Sequence, residues 1–187
     1  MEQEIQLIQN SKIRSESLRY GLYLGLIAIL ITLGVYLIDA TLLASFKVGG
    51  LSLVVFIVFL VIAMRNIRNS VGGYWDFRQA FVSCFIILAV SAVIGQIFVY
   101  ILHNFIDPTL SETLKTAVIN QTEGMLAKFG TPQDKIDEAL KEIEKKDMSV
   151  TFKSTVVQLG GTLVFYAIIS LIMGAVLKKA KPMFDAQ

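Results

Sequence analysis

Four long apolar runs divide the chain, at about residues 20–38, 48–64, 80–102 and 156–177. As a helix rising about 1.5 Å per residue, each is long enough to cross roughly 30 Å of hydrocarbon. About twelve Leu, Ile, Val or Phe residues in the second run contribute on the order of −5 kcal/mol to insertion, against at most about +3 kcal/mol for one misplaced charge. Insertion wins. Lipid offers no partner for a peptide group, so each run must close its own backbone hydrogen bonds, and a helix does that. The pattern predicts an all-α membrane protein, four transmembrane helices in an up-down bundle forming one integral membrane domain over residues 1–187.

The connections are unequal. Asp39–Lys47 is a short hairpin, whereas roughly fifty residues, His103–Thr155, separate the third run from the fourth. Within them Asp107-Pro108 reads as a helix cap with proline at the first helical position, and Leu110, Leu114, Val118, Gln121, Met125 and Phe129 recur at three-to-four spacing. Gly130 ends that helix and Thr131-Pro132 starts another, striped by Ile136, Leu140 and Ile143 among alternating charges. An amphipathic helical hairpin over about 107–147 is therefore predicted between spans three and four. Neither half can bury its apolar face alone. The polar segment Met1–Arg19, with Ile5, Leu7, Ile8 and Ile13, predicts either a short amphipathic helix on the membrane surface or a frayed tail. No small-residue cleavage pattern closely follows the first run, so it reads as a retained span.

Charge then sets the orientation. Lys12, Arg14 and Arg19 flank span one, Arg65, Arg68 and Arg78 lie between spans two and three, and Lys178, Lys179 and Lys181 follow span four. If the spans alternate, all of these share one side, and only Lys47 stands in the short loop opposite. The positive-inside rule places both termini and the Arg65–Arg78 turn in the cytoplasm and residues 103–155 outside it. The composition agrees with a lipid-embedded chain: 55% hydrophobic, 17% charged, mean hydropathy +0.65. A net charge of +2, with the basic residues at membrane borders, argues against a nucleic-acid partner.

Candidate chemistry is sparse. No Lys, Arg, Glu, Asp or His lies near the middle of a span, which argues against proton- or ion-coupled transport. One histidine and one cysteine cannot assemble a multi-ligand metal site, and neither a phosphate-cradling Gly-rich loop nor a nucleophile elbow is present, so no catalytic, cofactor or metal site is predicted. Gln96 and Gln158 are candidate intramembrane polar contacts, most simply an interhelical hydrogen bond. Small residues mark candidate packing seams: Gly21 and Gly25 in span one, Ser91 and Gly95 in span three, Ser170 and Gly174 in span four. These seams serve a bundle or a homo-oligomer equally. Span two has none and is expected to be the most lipid-exposed. In the stretch Arg65–Phe81, Gly72-Gly73 permits a turn, Tyr74 and Trp75 suit the headgroup level, and Arg65, Arg68, Trp75, Asp76 and Arg78 form a candidate cytoplasmic site for anionic lipid or a partner protein.

The opening of span one, Tyr20-Gly21-Leu22-Tyr23-Leu24-Gly25, and the entry to span three, Gly72-Gly73-Tyr74-Trp75-Asp76-Phe77-Arg78-Gln79-Ala80-Phe81, resemble a family of small four-span bacterial inner-membrane proteins known only as a domain of unknown function. Asp107-Pro108 and the long helical loop before span four complete the likeness, which covers nearly the whole chain. The resemblance implies the bacterial cytoplasmic membrane, with the hairpin in the periplasm, and brings no activity with it. The residues favour a structural, assembly or interaction protein whose hairpin meets a partner: lipid, another membrane or periplasmic protein, or a second copy. A small carrier or channel using Gln96, Gln158 or Tyr166 is the alternative, and a lipid-acting enzyme using Asp76 and Arg78 comes third.

Overall fold

The computed structural model describes residues 2–179, so Lys181 lies outside the described residues. Among the described residues four helices are long and apolar enough to cross a membrane. They are α1 (Glu2–Ile38), α2 (Phe46–Ser70), α3 (Phe77–Ile101, prolonged by a π turn at Leu102–Ile106) and, after the hairpin helices α4 (Leu110–Lys128) and α5 (Gln133–Lys145), α6 (Phe152–Leu177).

The third span is the hub. Its buried positions Ala80, Ser83, Cys84, Ile87, Leu88, Ser91 and Ala92 recur every three or four residues and most are small, so two neighbours can approach on different faces. On one side lies α1, where a Cβ on Gly21 would stand 2.8 Å from Val90 Cβ and 3.0 Å from the Ile87 carbonyl, and one on Gly25 would stand 2.9 Å from Ile94 Cβ. On the other lies α6, where a Cβ on Gly174 would meet the Phe81 backbone at 3.2 Å. Gly95 differs. Nothing lies within 4 Å of where its side chain would be, so α3 uses no Ser91–Gly95 seam, and the Ser91 hydroxyl turns back on its own helix to Leu88 O at 2.9 Å.

The first helix corrects the expectation for the N-terminal segment, which is neither a surface helix nor a frayed tail. Residues 2–38 are one continuous helix. No Gly or Pro interrupts residues 2–20, and the extension packs because Ile13 and Ser17 are buried. The Ser17 hydroxyl donates to Ile13 O at 2.6 Å and stands 2.8 Å from Ser83 Oγ. With its single proton committed to Ile13, Ser17 accepts from Ser83, an interhelical hydrogen bond between α1 and α3. Removing both hydroxyls in a double-mutant cycle with Ser17→Ala and Ser83→Ala should give a coupling of about 0.6–1.7 kcal/mol, the range for such bonds in membrane helices. Reversible unfolding in mixed micelles would measure it, and zero coupling would dismiss the bond.

The core is polarised along the bundle axis. In α2 the buried residues are Leu60, Ala63, Met64 and Ile67, and in α6 they are Ser170 and Gly174, all in the halves nearest the arginines. The opposite halves of both helices are largely exposed. The expectation that span two alone is the most lipid-exposed is corrected accordingly. In their most apolar windows α2 and α6 are each 11% buried, against 28% for α3, because α6 packs on α3 through one narrow face.

Candidate functional site

Two places bring polar side chains together, one at each end of the bundle. At the arginine end, the sequence Gly72-Gly73 makes the turn between α2 and α3. Both glycines have positive φ, 101° and 82°, which a side chain would resist. Asp76 follows as the N-cap of α3. Its Oδ1 accepts from Gln79 N at 2.7 Å, and Gln79 Oε1 accepts from Asp76 N at 3.1 Å, a reciprocal capping box. The Asp76 carboxylate is thus engaged with backbone, which its pairing with Arg78 in a charged site overlooked.

Trp75 is a second correction. Beside basic residues it resembles a headgroup-level aromatic, yet it is only 3% exposed. Its Nε1 donates to Leu177 O at 2.8 Å, and its backbone exchanges hydrogen bonds with Lys179 at 3.0 and 3.1 Å. These contacts satisfy a carbonyl left open at the end of α6. Arg68 reaches the same carbonyl with Nη1 at 3.5 Å, while its Nε is buried without a partner. Arg68 is therefore a helix-end ligand, and Arg65 lies exposed on α2. The predicted constellation of Arg65, Arg68, Trp75, Asp76 and Arg78 divides: Trp75, Asp76 and Arg78 line one groove, and the two α2 arginines do not.

That groove has a volume of about 770 Å³. The α1 extension forms one wall, with Ile5, Gln9 and Arg14, and the start of α3 forms another, with Arg78, Gln79 and Val82. Tyr74 and Lys179 complete it, with the Lys179 ammonium over the Tyr74 ring, 5.2 Å from its centroid. Gln9 Nε2 donates to Val71 O at 3.0 Å, Lys12 Nζ to Ser70 O at 2.7 Å, and Gln79 Nε2 to Asn10 Oδ1 at 3.1 Å, so the extension is fastened to the turn. Sequence reasoning missed Arg14 and Lys179 as neighbours of Arg78. They are far apart in the chain, and only the helical course of residues 2–19 brings Arg14 there.

At the other end, α4 begins at Leu110 with Thr109 as its cap, two residues later than Asp107-Pro108 suggested. Asp107 instead makes a turn, its Oδ1 accepting from Thr109 N at 3.1 Å and Thr109 Oγ1 at 2.7 Å. Oδ2 accepts from the Tyr36 hydroxyl at 3.3 Å. The Thr109 hydroxyl is the largest influence and lowers the carboxyl from its ordinary value; desolvation, next in size, opposes it, and the Thr109 amide, the Tyr36 hydroxyl and the Leu110 amide keep the net shift downward. A depressed carboxylate pKa means the stabilisation is present at neutral pH and is lost as pH falls through the folded-state value. Protection of the amides of residues 109–113, taken as the exchange rate relative to the intrinsic rate at the same pH, should therefore hold down to about pH 4, the ordinary carboxylate range, and fall only below it. In Asp107→Asn that acid step should vanish; a step in the same place would assign it to another group.

The hairpin lies on the turn Ala40–Ala44. Gln121, its amide nitrogen toward Ala44 O at 2.7 Å and its oxygen toward Phe46 N at 3.2 Å, fastens α4 there. Asn104 Nδ2 donates to Val150 O at 2.8 Å and pins the segment that leads into α6. Gly130, at φ 70°, makes the hairpin turn, and Ile136 is buried between the helices. One and two turns beyond Gln121 on the same face, Met125 is 37% and Phe129 80% exposed.

The intramembrane glutamines do not meet. Gln96 Oε1 is buried without a partner, Gln158 is exposed on α6, and Tyr166 packs against the core. Among the described residues no three His, Cys, Asp or Glu side chains converge.

Four apolar helices, one of them a small-residue hub, with a helical hairpin across one end, define a multi-pass α-helical membrane protein. Residues 19–179 match the model of the family described as protein of unknown function (DUF4199), and the chain belongs to that family. No curated protein and no solved structure matches it.

Proposed function

We propose that this is a non-catalytic assembly or interaction protein of the bacterial cytoplasmic membrane, with both termini and the arginine end in the cytoplasm and the hairpin on the outer side as the surface that meets a protein partner. One observation carries the reading. The face of α4 that Gln121 fastens to the Ala40–Ala44 turn continues into Met125 and Phe129, which are exposed. A large ring held out at a hairpin tip is the kind of residue that anchors interfaces when a partner covers it. The orientation rests on the arginines, all of which lie on one side.

A photo-crosslinking residue at Phe129, in the full chain in native membranes, should give a discrete adduct. The same residue at Glu138, exposed on α5, should not. A lone monomer band from position 129 would overturn the partner surface. Orientation is tested separately with impermeant thiol reagents on Ser70→Cys and Glu112→Cys in a Cys84→Ala background. Glu112→Cys alone should label from outside; labelling of Ser70→Cys from that face, with or without Glu112→Cys, would overturn it.

A further inference from the structure

We propose that the groove at the arginine end binds the phosphate-ester group of an acidic phospholipid, with Arg14, Arg78 and Lys179 as its cations. The site is separate from the hairpin and does not depend on its having a partner.

Three elements distant in sequence each bring one cation to a single cavity of about 770 Å³. One carboxylate, Asp76, lies among them, and it is engaged by the Gln79 amide at 2.7 Å. Like charges around a common cavity repel, and a bound anion relieves that repulsion. Guanidinium groups suit the task because their planar fork gives two parallel hydrogen bonds to phosphate oxygens. Gln6 and Asn10 on the same wall supply amide groups for the remaining oxygens of a headgroup.

The lining also favours a lipid over a free phosphate ester. Ile5, which is exposed, and half-buried Val82 share the groove with the cations, and Leu7 and Ile8, on the same helix, are exposed. A soluble phosphate ester would meet the cations and gain nothing from these apolar groups, whereas an acyl-bearing one would cover them. The groove lies at the end of the bundle where α3 begins and α6 has just ended.

Trp75 is the single tryptophan of the chain and lines the groove, so its emission reports occupancy. The full chain, in phosphatidylcholine nanodiscs, would be titrated with short-chain phosphatidylglycerol, with short-chain phosphatidylcholine and with glycerol 3-phosphate. Saturable change in Trp75 emission is expected with phosphatidylglycerol alone. The double substitution Arg14→Gln, Arg78→Gln should weaken it at least about tenfold, since each arginine near a surface adds appreciable attraction to acidic lipid. Replacing Lys47, at the other end, should leave it unchanged. Arg14→Lys, Arg78→Lys keeps the charge without the fork and should fall between, and an unchanged melting profile for each variant separates lost binding from lost folding. No response to phosphatidylglycerol, or one that survives the double glutamine substitution in a folded protein, overturns the site. An equal response to glycerol 3-phosphate overturns the lipid assignment.

Discussion

Gly21→Ala should weaken the fold by roughly 1–3 kcal/mol, the usual effect of forcing a methyl group into a packed interface, while Gly95→Ala should leave it unchanged or firmer. Both are glycines in membrane helices, and in a helix alanine is favoured over glycine by about 1 kcal/mol. The difference lies in what the new methyl meets. At Gly21 it would stand 2.8 Å from Val90 Cβ and 3.0 Å from the Ile87 carbonyl, atoms fixed to the α3 backbone that cannot swing aside, so α1 and α3 must separate. At Gly95 it would meet nothing within 4 Å. Gly174→Ala, 3.2 Å from the Phe81 amide, should fall between. Unfolding in mixed micelles, read by circular dichroism, gives the order directly. A Gly95 variant as damaged as the Gly21 variant would mean that the close approach of α1 to α3 is not what holds the bundle.

Trp75→Ala carries the largest expected loss, about 3–5 kcal/mol for deleting a buried aromatic. The ring fills the space between the α2–α3 turn and the end of α6, and its N–H satisfies the Leu177 carbonyl at 2.8 Å. Trp75→Phe keeps most of the packing and removes the donor, and the cost should fall to about 1 kcal/mol, partly because Arg68 Nη1 still reaches Leu177 O at 3.5 Å. The measurement that separates local from global effects is limited proteolysis after the Lys178-Lys179 pair. Cleavage should accelerate in Trp75→Ala before the helices melt; protection equal to the parent protein would argue against the contact between the turn and residues 178–179.

The four spans were legible in the sequence because an apolar run long enough to cross lipid needs no tertiary context to be helical. The two-helix hairpin was legible for a related reason, since its stripes and Gly130 are local signals. What escaped depends on contacts between distant residues. Residues 2–19 read as polar and loosely amphipathic, and they continue α1 because Ser17 and Ile13 find α3, which no window around them reveals. Trp75 beside Arg78 reads the same whether the ring faces headgroups or a neighbouring helix; the Leu177 carbonyl, about a hundred residues away, decides. Gly21, Gly25 and Gly95 share a spacing but not a neighbour, so small-residue pattern marked where helices can meet and not where they do. The candidate charged cluster divides for the same reason: Arg65 and Arg68 are close to Arg78 in the chain, while Arg14 and Lys179 line the same groove as Arg78.

Because α2 and α6 bury side chains only toward the arginines, hydrocarbon tails rather than protein atoms flank them over the rest of their length. Lateral pressure in one leaflet then bears on the loosely packed half and hardly on the other. Thinner bilayers, or acyl chains with more kinks, would change the spacing of those two helices beneath the hairpin while leaving the contacts of Trp75 and Gly21 in place.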